Sequence, residues 1–332
     1  MRKILNVLLI LLFSINVNAQ LSIPDDPELA KEALTKKLII VKEELTEKQI
    51  KNYTKEGNLE QKQLENEKYN EKILNLFKKY WTINSEIVSK TEDEVKELKK
   101  AKNTEYIYLN IKYITDQQIK KNGVAQINIY YSYYTFTIQT IDKNKSLGMV
   151  TSRSDKLNKM EYLFAINTLQ YFIKSTSEGN VRKDLEEDAS SNAKLLKEKT
   201  LLIPYYLTEL NIEKIKSIYP YKVEISTESN IVSKIEEKNS NYAYVYINHR
   251  WGSCATRFNH FIVDCADNNI LLLDKRNSIA LGESDKLDKS INTAYEAYIA
   301  AETIKDFPNP YSQSLVKEKQ LENYVSIIEG KK

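Results

Sequence analysis

The chain has little glycine (7 of 332 residues), proline (6), cysteine (2), histidine (2) or tryptophan (2). Scarce glycine disfavours phosphate-cradling loops, and no GxGxxG, GxxxxGKS or GxxxxGKT string occurs. A charge excess of either sign is also missing. Lysine and arginine (49) nearly balance aspartate and glutamate (46) and are interleaved with them, which argues against a nucleic-acid-binding stripe. After residue 20, no apolar run approaches the roughly 18 residues that a spanning helix needs. With so few histidines and cysteines, metal or thiol chemistry has one place to occur. All four residues lie in "INHRWGSCATRFNHFIVDCAD", residues 247–267: His249, Cys254, His260 and Cys265.

What the chain has is a basic start (Arg2, Lys3), an apolar run from Ile4 to Phe13, and small residues ending at Ala19. That pattern predicts a secretory signal peptide over 1–19 and an exported protein, periplasmic or extracellular. Residue 20 is glutamine and no cysteine follows the apolar run, so no lipid anchor is expected. Tyrosine is abundant (23), and 42% hydrophobic with 29% charged residues is globular composition.

Segments recur in order along the chain. "KKLIIVKEELTE" (36–47) matches "KTLLIPYYLTE" (199–209), and "EIVSK" (86–90) matches "NIVSK" (230–234). "YIYLNIKY" (106–113) matches "YVYINHRW" (244–251), and "SDKLNK" (154–159) matches "SDKLDK" (284–289). "FTIQTIDKN" (136–144) matches "FIVDCADNN" (261–269) more weakly. The spacing between partners changes from pair to pair, as loop insertions allow. We read a duplication: two tandem β-α-β-α-β-hairpin-α units, an α/β fold with mixed sheets. The expected organisation is a first unit over 20–174, a polar linker over 175–194, a second unit over 195–307 and a helical tail over 308–332.

In the first copy, Thr46 and Gln49 form a capping box opening a long charged helix over about 46–78. Its polar middle is expected to project into solvent. "YWTI" and "YKVEI" read as the second strands. The hairpins turn at Asp142–Asn144 and Asp267–Asn269. Ser154 and Ser284 are candidate caps for the closing helices, and a last helix near 312–328 is expected to pack back onto the body.

The second copy, with "FIVDCADNNILL" before "LGESDKL" and "AYEAYIAAETI", resembles the small α/β unit of the curli-assembly lipoprotein family and the TolB amino-terminal domain. The resemblance covers about 200–307 well and 36–174 poorly. It departs at Asn269, where that family has a turn glycine, and in lacking the lipid-bearing cysteine. It implies a fold and an envelope-assembly setting, not a catalytic residue.

The 247–267 stretch admits several readings. Two-residue alternation puts His260 and Cys265 on opposite faces of one strand, so they cannot share a zinc ion with its ligands about 2.0–2.3 Å away. A two-ligand site from His249 and His260 remains open. Cys254 is the loop candidate for a nucleophile with either histidine as base, but no orienting third residue is apparent. A Cys254–Cys265 disulfide suits an oxidising compartment and requires the intervening loop to fold back. The plainest reading is an unlinked pair in which Cys265 packs as a small apolar side chain. No cofactor is expected. A metal- or thiol-dependent activity at 249–265 is the alternative to the main expectation, a non-enzymatic protein that binds a protein partner. Candidate interface residues are Tyr106, Tyr108, Tyr131, Tyr133, Tyr244 and Tyr246, with Tyr130 and Tyr134 in the same aromatic region; packing inside the protein is the competing use.

Overall fold

The computed structural model describes residues 21–22, 25–122, 125–153, 155–180, 182–250, 257–275 and 315–331. These divide into two compact units. The first comprises 21–114 and 134–188; the second comprises 115–133 together with 189–331. The division therefore falls inside the expected 175–194 linker. That stretch is helical rather than extended: it holds the end of one helix, the helix Arg182–Asn192 and a 3₁₀ turn over Ala193–Lys197.

The first sheet has six strands in the order β1-β6-β5-β4-β2-β3: β1 (Leu21–Ser22), β2 (Lys37–Val41), β3 (Ile87–Lys90), β4 (Tyr106–Asn122), β5 (Ala125–Thr140) and β6 (Ser146–Thr151). The second has five in the order β11-β10-β9-β7-β8: β7 (Thr200–Pro204), β8 (Val223–Ser226), β9 (Tyr242–Arg250), β10 (Arg257–Asp264) and β11 (Ile270–Lys275). The helices are α1 (Pro27–Thr35), α2 (Glu47–Glu56), α3 (Leu59–Tyr80), α4 (Glu92–Lys100), α5 (Lys159–Ser177), α6 (Arg182–Asn192), α7 (Ile212–Ile218), α8 (Glu228–Glu236) and α9 (Glu318–Ile328).

The two sheets repeat one topology. β2 lies between β3 and β4, parallel to both, as β7 lies parallel to β8 and β9. An antiparallel hairpin then follows in each. Leu38–Ile40 and Leu201–Ile203 are buried throughout, as strands covered on both faces must be.

Ladder register gives the correspondence residue by residue. From Glu86–Tyr113 and Lys222–His249 the two copies run at one unchanging offset. Thr91 and Thr227 cap α4 and α8, each accepting from the backbone N–H three residues on. Val95 and Ile231 are buried one turn later. Lys102 (φ 48°) and Lys238 (φ 49°) both take the left-handed conformation that non-glycine residues rarely adopt. Asn103 and Asn239 then accept from the backbone of Glu105 and Asn241 (2.9 and 3.2 Å).

The hairpins match as closely. The register slips between Ile138 and Gln139 in one and between Ile262 and Val263 in the other. Each turn closes with one backbone bond of 2.9 Å, Thr140 to Lys145 and Asp264 to Asn269. Asn144 (φ 50°) and Asn268 (φ 61°) supply the left-handed turn residue.

This correspondence corrects several expectations. "EIVSK" is strand β3, whereas "NIVSK" lies in α8, because Thr227 caps a helix three residues before Asn230. Tyr113, not Ile111, corresponds to His249, and Ile141, not Thr140, corresponds to Cys265. "YWTI" is no strand. Tyr80 ends α3, and the buried Trp81 indole donates to Asn84 (2.8 Å), whose amide donates to the carbonyls of Ala33 and Lys36. The apolar run plugs a loop instead of joining the sheet. The long helix is two helices, α2 ending at Gly57 (φ 70°) and α3 beginning at Leu59. Thr46 and Gln49 do form the capping box (2.9 and 3.3 Å). α5 is capped by Asn158 rather than Ser154. In the second copy "LTE" precedes the helix, which Asn211 caps. Ser284, "SDKLDK" and the expected closing helix after residue 284 lie outside the described residues.

One face of the first sheet packs Ile39, Tyr108 and Ile141 under Val95 of α4. On the other face Phe136 meets Tyr162 of α5 edge-on, 5.8 Å between ring centroids, and α5 packs against α1. In the second unit Leu202, Tyr244, Cys265 and Ile231 occupy the positions of that first cluster, and all are buried. The C-terminal helix α9 packs on the second unit, against β11 and α7. No described helix is long and apolar enough to cross a membrane.

Candidate functional site at the carboxyl end of the first sheet

His260 is fully buried and its Nδ1 lies 2.7 Å from the Tyr324 hydroxyl of α9. His260 corresponds to Phe136, and Tyr324 stands against it as Tyr162 stands against Phe136. His249 is paired in backbone register with Phe258; its side chain and the whole of Cys254 lie outside the described residues. Cys265 is a free, fully buried thiol, pushed up to about 12 by burial and the neighbouring Asp264 charge. No group of three or more His, Cys, Asp or Glu residues able to hold a metal ion occurs among the described residues.

Asp264 and Asp267 serve the turn, accepting from the backbone of Ala266 and Asn269 (2.9 Å each). Asp264 also holds Lys199 in a mostly buried ion pair (2.8 Å), as Asp142 holds Lys36 (3.4 Å) in the first unit.

The tyrosines proposed as an interface are core residues in the main. Tyr108, Tyr133, Tyr244 and Tyr246 are buried, and Tyr106 is half-buried against the α4 cluster. Their strand faces are covered on both sides, so alternation did not separate an outer face from an inner one. The Tyr131 side chain is outside the described residues. Asn248 is fully buried, and its amide has no hydrogen-bond partner among the described residues.

Among the described residues, two tyrosines outside that set are exposed, Tyr113 and Tyr205. β6 runs in the direction of β2 and β4, since two antiparallel steps separate it from β4. The carboxyl ends of β2 and β6 therefore share one edge of the first sheet, the edge at which open α/β sheets bind their ligands. Here β2 delivers Glu43. Its N–H donates to Asn70 Oδ1 (2.8 Å), and the amides of Asn66 and Asn70 donate to its carbonyl (2.9 Å each). Asn66, Tyr69 and Asn70 share one face of α3 by helical spacing.

From β5, Tyr134 is held by reciprocal bonds with Ser152: its N–H donates to Ser152 Oγ (2.7 Å), and the Ser152 N–H donates to its carbonyl (2.8 Å). Tyr113 of β4 sets its ring edge-on to Tyr134 (5.2 Å) and is 52% exposed. Tyr162, in the first turn of α5, brings its hydroxyl within 3.4 Å of Tyr69 Oη.

The electrostatics of this edge are one-sided. Glu43 as a residue is exposed, yet lost hydration at its carboxyl raises it above the usual carboxylate range. Burial pushes the Tyr69 phenol far up, with Tyr162 and Glu43 adding to it. Burial and the Glu43 and Asp155 charges raise Tyr134 as well. Tyr162 is pushed up to about 12 by burial, with Tyr134 and Glu43 contributing. The phenols thus stay neutral at any physiological pH and act as rings and dipoles.

Of these residues, only Tyr134 lay within the aromatic region noted in the sequence. Glu43, Asn66, Tyr69 and Asn70 sit in charge-rich helical or loop sequence, and Tyr162 in the largely apolar α5; the i, i+3, i+4 spacing of "NEKYN" was the available signal. No protein-family model matches the chain, and no curated protein matches it.

Proposed function

We propose that the protein is an exported, non-enzymatic binding protein that engages a protein partner in the cell envelope through its first unit. The observation that carries this is the difference between the copies. The scaffold is repeated down to caps, left-handed residues and a bulge, whereas the connection from the first to the second strand differs in kind. In the second unit it is a 3₁₀ turn and the short α7. In the first it is the helical pair α2–α3, in which α2 has no buried residue and α3 buries only Ile73 and Phe77 near its end. Helices that bury so little add little to the core. They expose Ile50 (38%) and Leu64 (50%), and α3 supplies the Tyr69 and Asn70 groups at the sheet edge. Elaborations of this kind on a fixed scaffold are where binding function resides. The envelope setting is supported by the leader-like start and by the resemblance of the second unit to envelope-assembly units.

The test is capture of partners from envelope extract by the full mature chain and by an Ile50→Glu/Leu64→Glu variant. Both positions are exposed, so the variant folds normally by circular dichroism. Loss of a wild-type-specific partner is the expected result; identical capture by both proteins would remove the reading.

A further inference from the structure

The same sheet edge carries a more specific reading, which rests on the binding role above and concerns its chemistry. At four tyrosines elsewhere in this chain, one of the chain's own lysines stands over the ring. Lys99 lies 4.3 Å from the Tyr108 ring centre, Lys79 4.8 Å from Tyr80, Lys234 5.4 Å from Tyr242 and Lys37 5.8 Å from Tyr106. At the carboxyl end of the first sheet this pattern stops. Tyr69, Tyr113, Tyr134 and Tyr162 cluster there, and among the described residues no lysine or arginine stands over their rings. The charges that act on them are negative: Glu43 reaches Tyr69, Tyr134 and Tyr162, and Asp155 reaches Tyr134. Among the described residues no cation offsets the raised Glu43 carboxyl. Negative ring faces and a desolvated carboxylate make a site for a positive charge. Three backbone bonds to Asn66 and Asn70 hold the Glu43 main chain before any ligand arrives, which lowers the ordering cost of binding.

We propose that this niche receives the ammonium or guanidinium group of a basic segment of the partner protein, with Glu43 as its counter-ion and the Tyr113–Tyr134 pair as its aromatic wall. A peptide is favoured over a free polyamine because the niche is open on the Tyr113 side and adjoins α3, which offers a flanking surface for the rest of a chain.

Binding is expected to follow the ionisation of Glu43. It is full at neutral pH and fades as the pH falls through the raised Glu43 range, at a higher pH than an ordinary carboxylate would give. Glu43 also bears on stability with a definite sign. A carboxyl raised in the folded state is held ionised at a cost, so Glu43→Gln should leave the melting temperature at pH 7 unchanged or higher while removing the counter-ion. A merely structural role predicts the reverse.

The experiment is calorimetric titration of the full mature chain with an octalysine peptide, an octaglutamate peptide and spermidine. Wild type, Glu43→Gln and Tyr113→Ala are compared at pH 7 and pH 5. Expected are binding of octalysine alone among the peptides, at least tenfold weaker binding by Glu43→Gln, weaker binding by Tyr113→Ala, and weaker wild-type binding at pH 5 than at pH 7. Equal octalysine binding by wild type and Glu43→Gln, or no octalysine binding at all, overturns the proposal. Spermidine binding without octalysine binding overturns the choice of a peptide. A partner captured from extract equally by wild type and Glu43→Gln, but lost on Ile50→Glu/Leu64→Glu, leaves the binding role standing and removes only the cation niche.

Discussion

Cys265 and His260 show what one substituted position can do inside a repeated frame. Cys265 fills the place of Ile141, fully buried, with a thiol kept protonated by burial. In a Cys254→Ser background it should therefore resist a water-soluble disulfide reagent in the native protein and react once on denaturation; native labelling would contradict its burial. His260 fills the place of Phe136, and the imidazole gains the Tyr324 hydroxyl as partner. Tyr324→Phe removes this hydroxyl from a buried ring nitrogen and should destabilise the second unit by about 1–3 kcal/mol. The His260→Phe/Tyr324→Phe double variant, which imitates an apolar pair, should recover part of that loss in chemical denaturation. Additive losses would show that the two side chains are not coupled.

The elements that repeat do so because short-range chemistry is repeated with them. Thr91 and Thr227 start equivalent helices, and Lys102 and Lys238 end them in the same left-handed state. Thr91→Ala and Thr227→Ala should each cost about 1 kcal/mol by loss of the cap. Lys102→Gly and Lys238→Gly should shift stability in one direction and by similar amounts, since the same backbone strain is relieved. Opposite signs in denaturant titrations would show that the local equivalence is superficial. Gly57 separates α2 from α3 at φ 70°, and an added Cβ there meets nothing within 4 Å. Gly57→Ala should thus cost about 1 kcal/mol for backbone reasons alone. "NIVSK" and "EIVSK" teach the converse: the shared IVSK became helix in one and strand in the other because the capping threonine stands before one and after the other.

For the whole molecule, each sheet has its own buried centre, Ile39 with its cluster in the first unit and Leu202 at the matching place in the second. Truncating either to alanine should cost about 2–5 kcal/mol through the cavity left. Hydrogen exchange is expected to show Ile39→Ala loosening β2–β6 and Leu202→Ala loosening β7–β11. Equal loosening of both sheets by either variant would mean that the units unfold together.

By itself, the sequence determined the fold class, the duplication and the local devices that any copy needs. Apolar four-residue runs, the capping threonines and the Asn-bearing turns act over a few residues and are written in the chain. It also marked α2–α3 as the element that differs, through a polar middle unable to bury a face. Only tertiary structure decided the exact correspondence, because burial on both sides of a strand erases the alternation that would have fixed the register. For the same reason Tyr108, Tyr133, Tyr244 and Tyr246 went inside while Tyr113 stayed out. Only tertiary structure, too, brought Glu43, Tyr69, Tyr134 and Tyr162 to one sheet edge. They come from a loop, two helices and a strand far apart in the chain, and no local spacing encodes their meeting.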